Sequence, residues 1–194
     1  MRDSLDPAAE DVADLLVRMC REPWPTTEQE RCDYFTVLGL HEQEHLPVRD
    51  DDPGSTSLRF ATSLPGVDGI CSAFRDEFLG LSLFCWAEQC DNGLQARAGH
   101  PALRDLLSRS FGTPTEEWGP TAEPACCWVV GPLTIEMYCF QRLQSSVMVG
   151  PSHSPLSSQP RRPPTLTPSP CDAPPSRPSS IYRFQRLTRR PRAA

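Results

Sequence analysis

The chain has 194 residues and a formal net charge of −6, a length that suits one domain or one domain with a tail. All 19 basic residues are arginine, so a P-loop lysine, a kinase ATP-anchoring lysine, a Schiff-base lysine and a Ser/Lys dyad are all excluded. The charge is divided: residues 1–150 hold 24 acids against 11 arginines, a balance of −13, whereas residues 151–194 hold one acid, Asp172, against eight arginines, a balance of +7.

A first helix is expected from Pro7 to Arg21, where Val12, Leu15, Leu16 and Met19 recur at three- and four-residue steps and Asp6 stands as N-cap. The run "REPWP" ends it. A second helix follows from Thr27, with Thr27 and Glu30 spelling a capping box, Tyr34, Val37 and Leu38 forming the apolar face, and Gly39 closing the C-terminus. Alternation at Leu58, Phe60, Thr62 and Leu64 predicts a strand, and residues 67–75 and 78–87 a hairpin whose second arm is apolar enough to lie at the centre of a sheet. A third helix spans Pro101 to Phe111, with the proline in its first turn and Gly112 ending it. Three strands follow, "ACCWVVG", "LTIEMYCFQ" and "SSVMVG".

The order ααβββαβββ predicts an α+β domain over residues 1–150, an antiparallel sheet of about five to six strands with three helices largely on one face. About 150 residues suffice for a real core without metal or disulfide support. Residues 151–194, with eleven prolines and eight serines, lack the apolar content to offset ordering entropy and are expected to be a disordered tail. "YRFQRL" at 182–187 echoes "YCFQRL" at 138–143, which in so biased a composition reads as coincidence. The start of the chain lacks the pattern of a signal peptide, and no apolar run approaches the roughly 18 residues of a membrane span. The expectation is a cytoplasmic protein with no membrane attachment.

Chemistry-bearing patterns are sparse. "HEQEH" at 41–45 has the spelling that places two zinc ligands, His41 and His45, and a general base, Glu42, on one helix. Gly39 before it and Pro47 after it oppose a helix there, so the stretch is expected to be a solvated connector. A zinc-dependent hydrolase using these residues is the alternative reading, and a chain without a discrete activity a further one. The nine cysteines include no C-x-x-C pair and read as reduced thiols serving the core; a Cys/His pair using His100 has no supporting motif. Trp86 and Trp128 are expected in the core, Trp24 and Trp118 as staples of loops. No catalytic, cofactor-binding or metal-ligating residue is assigned, and no cofactor is expected.

The positive signal is the charge of the first 150 residues, which repels nucleic acid and attracts basic surfaces. It points to a non-enzymatic binding module for a basic protein, with Glu42, Glu44, Asp50, Asp51 and Asp52 as the focus of recognition. Trp24 before a capped helix ending "LGL", then "SFGTP", "EEWG" and "CCWVVGPLTIEMY", resembles small uncharacterised actinobacterial α+β proteins that look like toxin-immunity proteins. The resemblance covers residues 10–150 and implies a binding role, neutralising a basic toxin domain by covering its active surface. It implies no catalytic residue.

Overall fold

The structure, a computed structural model of the whole chain, describes residues 5–46, 54–88, 93–141 and 145–154. Three helices and eight strands follow one another as α1 (Ala9–Arg21), α2 (Glu28–Leu38), β1 (His41–Leu46), β2 (Ser55–Ala61), β3 (Asp68–Phe74), β4 (Glu77–Glu88), α3 (Leu94–Phe111), β5 (Glu116–Trp118), β6 (Ala125–Val130), β7 (Leu133–Phe140) and β8 (Ser145–His153). The α+β class and the three helices are as expected. The strand number is not: eight strands replace the expected five to six.

The two additional strands are β1 and β5, which form the opposite edges of one antiparallel sheet ordered β1-β2-β3-β4-β8-β7-β6-β5. β1 is polar and carries a bulge between Glu42 and Glu44, while β5 is three residues long and begins with two glutamates. Short, charged or bulged strands are what blunts a sheet edge against unwanted pairing. The same features erase the alternating apolar pattern by which strands are recognised in sequence.

Each half of the sheet is a four-stranded meander preceded by helical structure, and the last strands of the two meanders, β4 and β8, lie side by side at the centre. α3 connects the halves. β8 continues to His153, pairing Ser152 with Thr134 and His153 with Leu133, so the sheet takes in three residues of the segment expected to be tail. The chain divides into two units, 1–160 and 161–194; the second lies outside the described residues. No described helix is long and apolar enough to cross a membrane.

All three helices cover one face. Leu58 and Phe60 of β2, Leu81, Leu83 and Cys85 of β4, Val147 and Val149 of β8, Ile135 and Met137 of β7 and Trp128 of β6 share a single core with Val12, Leu15, Leu16 and Met19 of α1, Phe35 and Leu38 of α2, and Leu103 and Leu107 of α3. The period of two along each strand puts these residues on one side of the sheet. Two ion pairs fasten helices to the sheet edges on this side: Arg31 of α2 to Glu42 of β1, and Arg104 of α3 to Glu117 of β5.

Local signals in α2 are met closely. Thr27 Oγ1 accepts from the Glu30 amide at 3.2 Å, the Glu30 carboxylate accepts in return from the Thr27 amide, and Gly39 takes the left-handed conformation at φ 68°. The inward face differs by one residue, because Phe35 is buried against Phe60 while Val37 is 58% exposed. α3 starts at Leu94, seven residues before its expected start, and Pro101 stands inside it. An internal proline removes a hydrogen bond and crowds the preceding turn. Burial of Ala96, Gly99 and His100 in the preceding turns offsets that cost, and no residue near Pro101 announces it in the sequence.

Candidate functional site

The residues expected to focus recognition are not brought together by the described structure. Glu42 is exposed, but its carboxylate accepts from Arg31, which also pairs with Glu28. Its charge is thus partly offset within the molecule, by a guanidinium it shares with Glu28. The backbone of Glu44 stands opposite Arg59 of β2, and Asp50, Asp51 and Asp52 lie outside the described residues.

"HEQEH" is a strand, neither the helix that zinc chemistry requires nor the connector expected from its flanks. His41 stands opposite Ala61 and His45 opposite Leu58. Four steps of extended chain separate their Cα atoms by roughly 13 Å, where one turn of helix would bring them together. Among the described residues no three His, Cys, Asp or Glu side chains converge as metal ligands would.

Of the seven described cysteines, Cys71, Cys85, Cys126, Cys127 and Cys139 are buried, Cys20 is half-buried and Cys32 is exposed. Burial pushes the Cys20, Cys71, Cys85 and Cys126 thiols up to about 12, so the thiolate needed for nucleophilic attack is scarce at neutral pH. His100 is buried in α3, held below its ordinary pKa first by that burial and then by the charge of Arg104. Trp86 and Trp128 are core residues as expected. Trp24 packs over Phe78 at 4.6 Å between ring centroids and donates its indole N–H to the Phe78 carbonyl at 3.2 Å, stapling the α1–α2 connection. Trp118 differs from expectation, since it belongs to β5.

What the fold does assemble, among the described residues, is the sheet face that none of the three helices covers. One register row crosses five strands, from Phe84 of β4 through Met148 of β8, Tyr138 of β7 and Ala125 of β6 to Trp118 of β5. Trp118 meets Tyr138 edge-on, with centroids 5.6 Å apart, and Tyr138 stacks with Phe140 at 6.1 Å and an interplanar angle of 9°. Phe140 and Val129 remain 39% and 57% exposed, each directly after a buried residue, Cys139 and Trp128, that faces the core. The adjoining row holds Ser82, Gly150, Glu136, Cys127 and Glu116.

Over β4–β8 the charges of this face have one sign, and the cation in the same register row, Arg59 of β2, stands four strands away from Glu136. Strands β4–β8 contain no arginine, and apart from His153 their charged residues are all glutamates. Glu136 is exposed, and no cation of the described residues pairs with it. It lies beside Tyr138, whose phenol is raised above its ordinary pKa first by burial and then by the Glu136 carboxylate it hydrogen-bonds. Between β4 and β8 a groove of about 140 Å³ opens on the same face, lined among others by Glu136, Met148, Gly80, Gly150, Ser82 and Ser152. No feature of the sequence alone singles out Glu136. The one legible signal is β7, where Leu133, Ile135, Met137 and Cys139 alternate with Thr134, Glu136, Tyr138 and Phe140, so two rings fall on the phase opposite the core.

Comparison with protein-family models, with curated proteins and with solved structures returned no match.

Proposed function

We infer that this chain is a non-enzymatic protein-binding module that docks its bare sheet face onto a cationic partner, in the manner of an immunity protein covering a basic toxin domain. The observation that carries this reading is the segregation of the helices: the three described helices pack on one side of the eight-stranded sheet, and among the described residues the other side carries Trp118, Tyr138, Phe140 and Val129 beside carboxylates. Clustered aromatic groups supply most of the affinity at protein interfaces, and a surface of one sign speeds encounter with a partner of the other. The reading moves the recognition surface from the 42–52 stretch to the uncovered face of β4–β8. The buried, protonated thiols and the extended backbone of "HEQEH" offer no comparable support to a catalytic role.

The test is a pull-down of the purified chain against basic proteins encoded beside it, at low and high salt, with the double variant Val129→Glu/Phe140→Glu alongside. Capture that weakens with salt and is lost in the double variant is the expected result. Failure to capture any such partner, or capture indifferent to the double variant, overturns the reading.

A further inference from the structure

An extended polypeptide with alternating side chains is the shape that a flat, twisted sheet face can follow, since it presents every second residue to the surface. The groove between β4 and β8 is too small for a helix and has room for one elongated side chain. Its lining brings Glu136 together with Met148, with Gly80 and Gly150, whose missing side chains leave the space open, and with Ser82 and Ser152, which add hydroxyls. Tyr138 and Phe140 follow Glu136 along β7, and Trp118 meets Tyr138 from the β5 edge. A carboxylate lining a small groove with a thioether, and with the Tyr138 ring next to it on β7, suits a planar cation whose stem is apolar.

Resting on the binding-module reading above, we propose that the bare face recognises an extended, arginine-bearing segment of a partner protein, with the guanidinium received by Glu136 in the β4–β8 groove and flanking side chains laid across Trp118, Tyr138 and Phe140. Guanidinium is favoured over ammonium because it pairs with a carboxylate through two parallel N–H donors and stacks on aromatic faces. Aromatic platforms on sheets also bind single-stranded nucleic acid, but there the surrounding groove is positively charged. Here β4–β8 supply carboxylates and no arginine, which repel a phosphate backbone.

Glu136 is exposed, so Glu136→Gln keeps the fold, and circular dichroism checks that it does. Glu10→Gln, on the exposed side of α1, changes the net charge equally at a distance. The full chain and both variants are titrated by calorimetry with a ten-residue peptide alternating arginine and threonine, with its lysine counterpart, and with a uridine decanucleotide. The arginine peptide is expected to bind, its lysine counterpart about five-fold more weakly, Glu136→Gln to lose affinity by about five- to ten-fold, and Glu10→Gln to bind as the unaltered chain does. Equal losses in the two variants, equal affinity for both peptides, or binding of the oligonucleotide in place of the peptide overturns the proposal. If neither peptide binds while the Val129→Glu/Phe140→Glu variant still abolishes partner capture, the arginine assignment falls and the binding-module reading stands.

Discussion

Gly99 and Trp86 show how one residue can invert an ordinary expectation. Replacing an interior helix glycine by alanine usually stabilises by about 1 kcal/mol. At Gly99 a methyl group would lie 2.4 Å from the Trp86 ring, and that ring cannot retreat easily. Trp86 has φ 53° at an irregularity of β4, and its indole N–H donates to the Pro7 carbonyl at 2.9 Å. Overpacking of this kind costs roughly 1–3 kcal/mol, so Gly99→Ala is expected to destabilise on balance, and a raised denaturation midpoint would refute it. Glu30 gives a second residue-scale expectation. Its carboxyl lies below the ordinary value of 4.5 because the Thr26 backbone amide, then the Thr26 hydroxyl, donate to it, with Thr27 contributing less. A lowered folded-state pKa means that the unfolded chain binds the proton first, so stability rises with pH across the window. The advantage of the native chain over Glu30→Gln is therefore present above pH 4.5 and lost as pH falls through the lower folded-state value; urea midpoints at pH 7 and pH 3 check it, and a constant gap would count against it.

Among the elements, α2 was legible because its signals are local: the Thr27/Glu30 box and Gly39 depend only on residues a few positions apart. α3 was misread because its start depends on contacts distant in sequence. Pro101 reads as a first-turn residue, and only the packing of Ala96, Gly99 and His100 into the core extends the helix back to Leu94. The cost of the internal proline then remains in the folded state. Pro101 is exposed, so Pro101→Ala loses no packing and is expected to stabilise by roughly 1–2 kcal/mol, the helix-interior penalty less the proline's rigidity in the unfolded chain. Equilibrium urea denaturation measures it, and a loss of stability would mean that the helix bends there for a packing reason. The edge strands β1 and β5 carry no such local signal. They are held by pairing to β2 and β6 and by the Arg31–Glu42 and Arg104–Glu117 pairs, none of which leaves a periodic apolar trace.

At the scale of the molecule, the topology makes the last strand indispensable. β8 lies between β4 and β7 and, among the described strands, is the one that joins the two meanders into a single sheet. A chain ending at Pro160 retains β8 and is expected to unfold in one cooperative transition, whereas a chain ending at Gln144 leaves two half-sheets with exposed central edges and is expected not to fold. Circular dichroism melts of both truncations decide the matter, and cooperative unfolding of the shorter chain would disprove the joint. The same topology builds the bare face, since Phe84, Met148, Tyr138 and Trp118 are scattered over 65 residues of sequence and fall into one row only through the pairings of β4 with β8 and of β5 through β8 with one another. The amino-acid sequence by itself determined the α+β class, the three helices, the strands with apolar alternation and the absence of lysine chemistry, because composition, helix caps and period-two burial act within a few residues. Tertiary structure alone decided which acids pair with arginine, that "HEQEH" is a strand, and that aromatic rings and Glu136 share one uncovered surface, because register and face are set by partners far along the chain.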